Sequence, residues 1–221
     1  MENVTLLDLD DTGINDLPDS FCNLLRLWQL KMNGNKMCTI PNDLRGNNFT
    51  VLSESIQELR FLESVIVNDC KHLREIRGIP SKLKDFSALN CRSWCPWSTT
   101  VLLNQELHEN GNTCFALPGG RIPRWFEKRR RGASISFCFR GTEFPSNALC
   151  LAILLIDDLP FPVRVRPIVT INGNHVSRGW QKCKIDQLFI FDLSKTNHFD
   201  ETLPFENEWN HAEVSLELKV K

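Results

Sequence analysis

Apolar positions recur along the first ninety residues at a nearly fixed stride. Leu7, Leu9, Ile14, Leu17 and Pro18 return 23 residues later as Leu30, Met32, Met37, Ile40 and Pro41. Leu62, Val65, Val67 and Cys70 return after 21 as Leu83, Phe86, Ala88 and Cys91. Between these pairs, Leu44, Phe49 and Leu52 keep the internal spacing of five and three but begin only 12 residues after Met32, which reads as a shortened third copy. In a strand, alternate side chains point to opposite faces. The leucines therefore face a stacked core, and Asp8, Asp10, Gln29, Lys31, Ser64, Ile66, Asp85 and Ser87 face outward. An amphipathic helical array fits poorly, because the spacing is two, five and three and a proline recurs where it would break a helix.

A stride of 21 to 23 with this spacing is that of a leucine-rich repeat. It predicts an α/β leucine-rich-repeat solenoid over residues 1–91, each unit covered only by its neighbours. Residues 92–113 carry no repeat spacing and read as a capping or linking segment. Trp94 and Trp97 are expected to cover the solenoid's open end, LLNQEL to form a short helix and HENGN a turn. From residue 114 the period changes. In SISFCFR, Ile135, Phe137 and Phe139 share one face. In the terminal EVSLELKVK, Val214, Leu216, Leu218 and Val220 do so. ALCLAILLI suits a strand buried on both faces, and Pro167 within VRVRPIVTI suggests an edge strand or a break. Short strands punctuated by Gly, Pro and Asn predict an all-β sandwich over residues 114–221.

Composition narrows the function classes. The net charge is −1, with 26 Lys and Arg against 27 Asp and Glu, so no global field draws the chain to nucleic acid or anionic lipid. Its longest apolar run, nine residues at 148–156, is far below the roughly 20 of a membrane helix. Nine scattered cysteines, an odd number, sit largely within apolar patterns and point to free thiols in a reducing compartment. Met1 precedes Glu2 and Asn3 with no charged-then-apolar leader. Cytoplasm is the expected location, with the nucleus as the alternative.

Enzyme chemistry has little support. The five histidines are dispersed without a metal-binding spacing, LPGGR lacks the lysine and hydroxyl of a phosphate loop, and no Gly-x-Ser-x-Gly occurs. No catalytic residue, cofactor or metal is expected. The local charge run Lys128–Arg129–Arg130–Arg131 follows Pro123, Trp125 and Phe126, which suggest a short stapled helix. It reads as a solvated loop or as a contact for an acidic partner. The cluster is short for nucleic acid and lacks the accompanying aromatic–basic pattern. On the outward strand face, Ile66 stands out as an apolar residue at a position that should be wet. The candidate ligand-binding set is Lys31, Ile66, Arg129, Arg130 and Arg131.

LDLDDTGINDLPDSF, LRGNNFTVLSESIQEL and VNDCKHLREI resemble the last repeats of plant intracellular immune receptors of the Toll/interleukin-receptor, nucleotide-binding, leucine-rich-repeat class. CFALPGGRIPRWF, GASISFCFR, ALCLAIL and NEWNHAEVSLELKV resemble the C-terminal jelly-roll/immunoglobulin-like domain that follows those repeats. The resemblance implies recognition of a pathogen effector, or of a host protein guarded by the receptor, through repeat face and sandwich loops. It implies partnership with upstream repeats and a nucleotide-binding domain, and places NAD breakdown in a separate Toll-type domain. A truncated regulatory fragment and a nuclear nucleic-acid-binding module are the alternatives. Leu6, Leu7 and Leu9 are expected to stand at an uncapped end.

Overall fold

A computed structural model of the chain describes residues 3–14, 17–34, 51–108, 113–126, 131–132, 134–141, 148–154, 163–177, 181–192 and 208–220. Four short strands, β1 (Leu6–Asp8), β2 (Gln29–Lys31), β4 (Ser64–Ile66) and β6 (Asp85–Ser87), pair in parallel. A separate parallel pair joins β3 (Val51–Leu52) to β5 (Glu75–Ile76). Leu7, Leu30, Val65 and Phe86 stand in register across the ladder. After each strand the chain turns through a residue with positive φ: Asp11, Gly34, Asp69 and Asn90.

The strands β7 (Cys114–Pro118), β9 (Ala148–Ile153) and β13 (Gln187–Asp192) extend the same sheet. β7 pairs in parallel with β6, then antiparallel with β13, which pairs with β9. The result is one seven-stranded sheet ordered β1-β2-β4-β6-β7-β13-β9. A second, antiparallel sheet runs β11 (Asn174–Ser177), β10 (Val163–Ile171), β14 (Asn210–Val220) and β8 (Ser134–Phe139), with β12 (Gln181–Cys183) also on β10.

The seven-stranded sheet separates two cores. On one face, Leu30, Val65, Phe86, Phe115, Ile190 and Cys150 belong to a single cluster running its length. On the other face, Ala116, Ile153 and Phe189 meet Val165, Val169, Val214 and Phe139 of the second sheet. That second core covers only the β7-β13-β9 end. Among the described residues, no sheet lies over the β1-β2-β4-β6 half of this face.

These elements correct the expected fold class. The chain is mostly β-sheet, not an α/β leucine-rich-repeat solenoid followed by a jelly-roll or immunoglobulin-like sandwich. Among the described residues the only α-helices are α1 (Pro96–Leu102) and α2 (Gln105–His108), and neither lies in the repeating region. Its connections there use 3-10 turns at Asp19–Asn23 and Glu54–Glu58. The recurring proline accounts for the first: Pro18 holds extended backbone, φ −64° and ψ 152°, immediately before the turn. No sandwich stands apart either, because β6 and β7 are neighbours in one sheet.

Other expectations are corrected locally. β2 pairs directly with β4, so 35 residues separate Leu30 from Val65 and the described part of the stretch between them adds no strand to this ladder. Leu44 and Phe49 lie outside the described residues, and Leu52 pairs instead with Ile76. Trp94 is buried against Phe86, but Trp97 is exposed. By contrast β9 is buried on both faces as expected, with Cys150 in one core and Ile153 in the other, and Leu154 after it is exposed. Leu218 is exposed rather than inward. Pro167 lies inside the unbroken nine-residue strand β10. It pairs with Leu216 of β14, and on the other side of β10 it falls between the residues paired with β12 (163–165) and those paired with β11 (168–171).

Candidate functional site

The open half of the sheet face is built by register. Asp8, Lys31, Ile66, Ser87 and Ala116 align across five strands. Leu6, Gln29, Ser64, Asp85 and Cys114 form the neighbouring row. Lys31 and Ile66, two of the expected ligand-binding residues, are therefore adjacent and both half-exposed. Gln29 Nε2 donates to Ser64 Oγ at 3.2 Å, tying the second row together. Leu6, at the edge strand, is exposed.

A polar ladder fixes the turns that border this face. Asp10 accepts from both the backbone N–H and the side-chain amide of Asn33, at 2.7 and 2.9 Å. Asn33 Oδ1 accepts from the Asn68 N–H at 2.8 Å. Asn68 Oδ1 accepts from Ser87 Oγ at 2.6 Å and from the Leu89 N–H at 2.8 Å. At the next step the ladder residue is Leu89, which turns into the second core. Asn90 takes over the polar work: it donates to the Lys182 carbonyl at 3.0 Å and accepts from the Lys184 N–H at 2.8 Å. Two thiols reinforce the stack, Cys70 donating to the Met32 carbonyl at 3.0 Å and Cys91 to that of Val67 at 3.1 Å.

The other expected residues lie elsewhere. Arg131 is exposed, while Arg129 and Arg130 fall outside the described residues. The structure does not bring Arg131 to Lys31 and Ile66. It lines an open cavity of about 1570 Å³ whose floor includes Leu103, Ala152 and Leu188. Ala152 and Leu188 share the sheet face of Leu30 and Val65, opposite to that of Lys31 and Ile66. Sequence spacing offered no signal for this groove, because α1, β9, β13 and the 119–126 segment meet there only after folding.

The short helix expected after Pro123 is absent from the described part. Residues 124–125 form a turn, with Phe126 N–H bonded to the Pro123 carbonyl at 3.3 Å. Trp125 does not staple this segment to the second sheet. It stacks on Phe126 with centroids 4.0 Å apart and donates to the Leu103 carbonyl at 2.8 Å, on the opposite side of the main sheet.

His108 is buried against Trp125 and Phe115. Its Nε2 lies 2.8 Å from the Leu102 carbonyl and its Nδ1 2.8 Å from Thr113 Oγ1. A carbonyl only accepts, so Nε2 carries the proton and Nδ1 accepts from the threonine hydroxyl. Burial lowers the imidazole pKa, with the Leu102 carbonyl opposing it. This histidine is a structural hinge between α2 and β7 rather than an acid–base group facing a cavity. Among the described residues no group of three or more His, Cys, Asp or Glu side chains could hold a metal ion. No helix among them is long and apolar enough to cross a membrane.

No family model matches the chain, and no curated protein does.

Proposed function

We propose that this chain is a non-enzymatic recognition module: the sensing end of a plant intracellular immune receptor, binding a pathogen effector or a guarded host protein. The observation that carries this reading is the open half of the main sheet. It presents Asp8, Lys31, Ile66 and Ser87 as one aligned row on a rigid, hydrogen-bonded frame. A cation beside a half-exposed isoleucine on a pre-ordered strand surface suits a protein ligand, since anchors of this kind bind with little ordering cost. The sequence resemblance supplies the biological setting and places any NAD chemistry in a different domain. The reading puts the protein in the cytoplasm, with the nucleus as the alternative.

The test is a binding panel. Purified chain and a Lys31→Glu, Ile66→Asp variant are compared by interferometry against secreted effectors of plant pathogens. At least one effector should bind the parent, and the variant should weaken it by about tenfold or more. Binders indifferent to both substitutions would remove the face assignment. Turnover of NAD by the purified chain would end the non-enzymatic reading.

A further inference from the structure

The groove on the opposite side of the sheet is a second candidate surface. Its floor is apolar, built by Leu103, Ala152 and Leu188. Among the described lining residues the charged ones are Arg121, Arg124 and Arg131, all exposed, and the Asp186 carboxylate lies close to Gly120. The side chain of Leu154 is 66% exposed and packs over Gly120, where an added Cβ would strike its Cδ2 atom. An exposed apolar side chain is therefore offered in the same groove as the arginines. The cavity, about 1570 Å³, is larger than the ~300–1,000 Å³ of typical small-molecule sites and is open along its length.

We propose that this groove binds an acidic, extended peptide segment carrying a large apolar anchor, as a site separate from the Lys31–Ile66 face. Charge complementarity selects the occupant. Three guanidiniums around an apolar floor favour carboxylates flanking a buried leucine or phenylalanine. A polynucleotide would use the arginines but leave the floor and Leu154 in water, and the groove's tryptophans offer it little, since Trp94 is buried and Trp125 is already stacked on His108 and Phe126. A second copy of this chain is disfavoured by the like charge of two such rims. The segment 119–126 is held for this role. Gly119 N–H bonds to the Asp186 carbonyl at 3.0 Å, and Trp125 is pinned to Leu103.

The experiment uses the full chain and a fluorescein-labelled peptide of Glu, Asp and Ser with two central leucines. Its comparators are the same peptide with serines for the leucines, and a labelled single-stranded oligonucleotide of equal charge. Anisotropy should show saturable binding of the leucine peptide that weakens as salt rises. Arg121→Ala, Arg124→Ala and Arg131→Ala together should weaken it by about tenfold, the sum of three exposed charge pairs. Leu154→Ser should weaken it too, while Lys31→Glu with Ile66→Asp should leave it unchanged. Both groove variants alter exposed side chains, and unchanged thermal melting would certify their folding. Equal affinity for the serine peptide or the oligonucleotide, or indifference to both groove variants, would overturn the proposal. An effect of the Lys31 and Ile66 changes alone would assign the peptide to the other face.

Discussion

Single side chains in this protein are tuned by burial more than by charge. His108 makes the clearest case. Its imidazole pKa lies below the ordinary 6.5 because protonation would put a charge beside Phe115 and Trp125 and replace the acceptor at Nδ1 with a second donor. The unfolded chain then binds more protons than the folded one once pH falls below about 6.5, so stability must drop across that window. Above it, the contribution is fully present. Chemical denaturation at successive pH values should show this loss in the parent chain and a flatter profile in His108→Gln. The cysteines separate in the same way. Hydrogen bonding with Cys70, then burial, holds the Cys91 thiol protonated, and burial pushes Cys183 up to about 12. Since the thiolate is the nucleophile, Cys138, which is exposed, should be alkylated in the native state, whereas Cys91 and Cys183 should react only in denaturant. Peptide mass spectrometry after timed iodoacetamide treatment reads this directly.

At the scale of elements, the repeating strands are too short to hold register by backbone bonds alone. The Asp10–Asn33–Asn68 ladder supplies what three-residue strands lack. Asn68→Ala would leave the Leu89 N–H and the Ser87 hydroxyl without their acceptor. The expected loss is about 1–3 kcal/mol, measurable as a lower urea midpoint at unchanged slope. Which strand positions face inward was legible in the sequence, because the 23- and 21-residue recurrences place Leu30, Val65 and Phe86 on one side. The nature of the connections was not. The repeat stride suggested an α/β unit, but 3-10 turns, the first led by Pro18 and the second by Ser53, occupy that space and the chain is mostly β-sheet. Alternation likewise marked Leu218 as inward, although β14 runs on past its pairing with β8, which ends at Ser215, and Leu218 is exposed. Periodicity reports the face of a strand, not whether anything covers that face.

For the whole molecule, the shared sheet is the decisive feature. Phe115 packs against Phe86 and His108 on one side of β7, while Cys114 and Ala116 contribute to the core on the other. Both halves thus depend on one strand, and they should unfold together. Phe115→Ala should cost about 3–5 kcal/mol and lower the melting temperature seen by tryptophan fluorescence and by far-ultraviolet dichroism equally. Two separated transitions would show that the halves are energetically independent. Of the candidate site, Lys31 and Ile66 were accessible from outward strand positions, and register makes them neighbours. Arg131 was visible only as part of a charge run, and its place beside Arg121 and Arg124 was not. The amino-acid order alone determined which positions are apolar, where the chain must turn and that its period changes near residue 114. Only the tertiary structure decided that β7 would add to the parallel ladder, which half of the sheet would stay open and which arginines would share a groove. Those outcomes depend on contacts between segments remote in the chain, and local periodicity carries no information about such pairings.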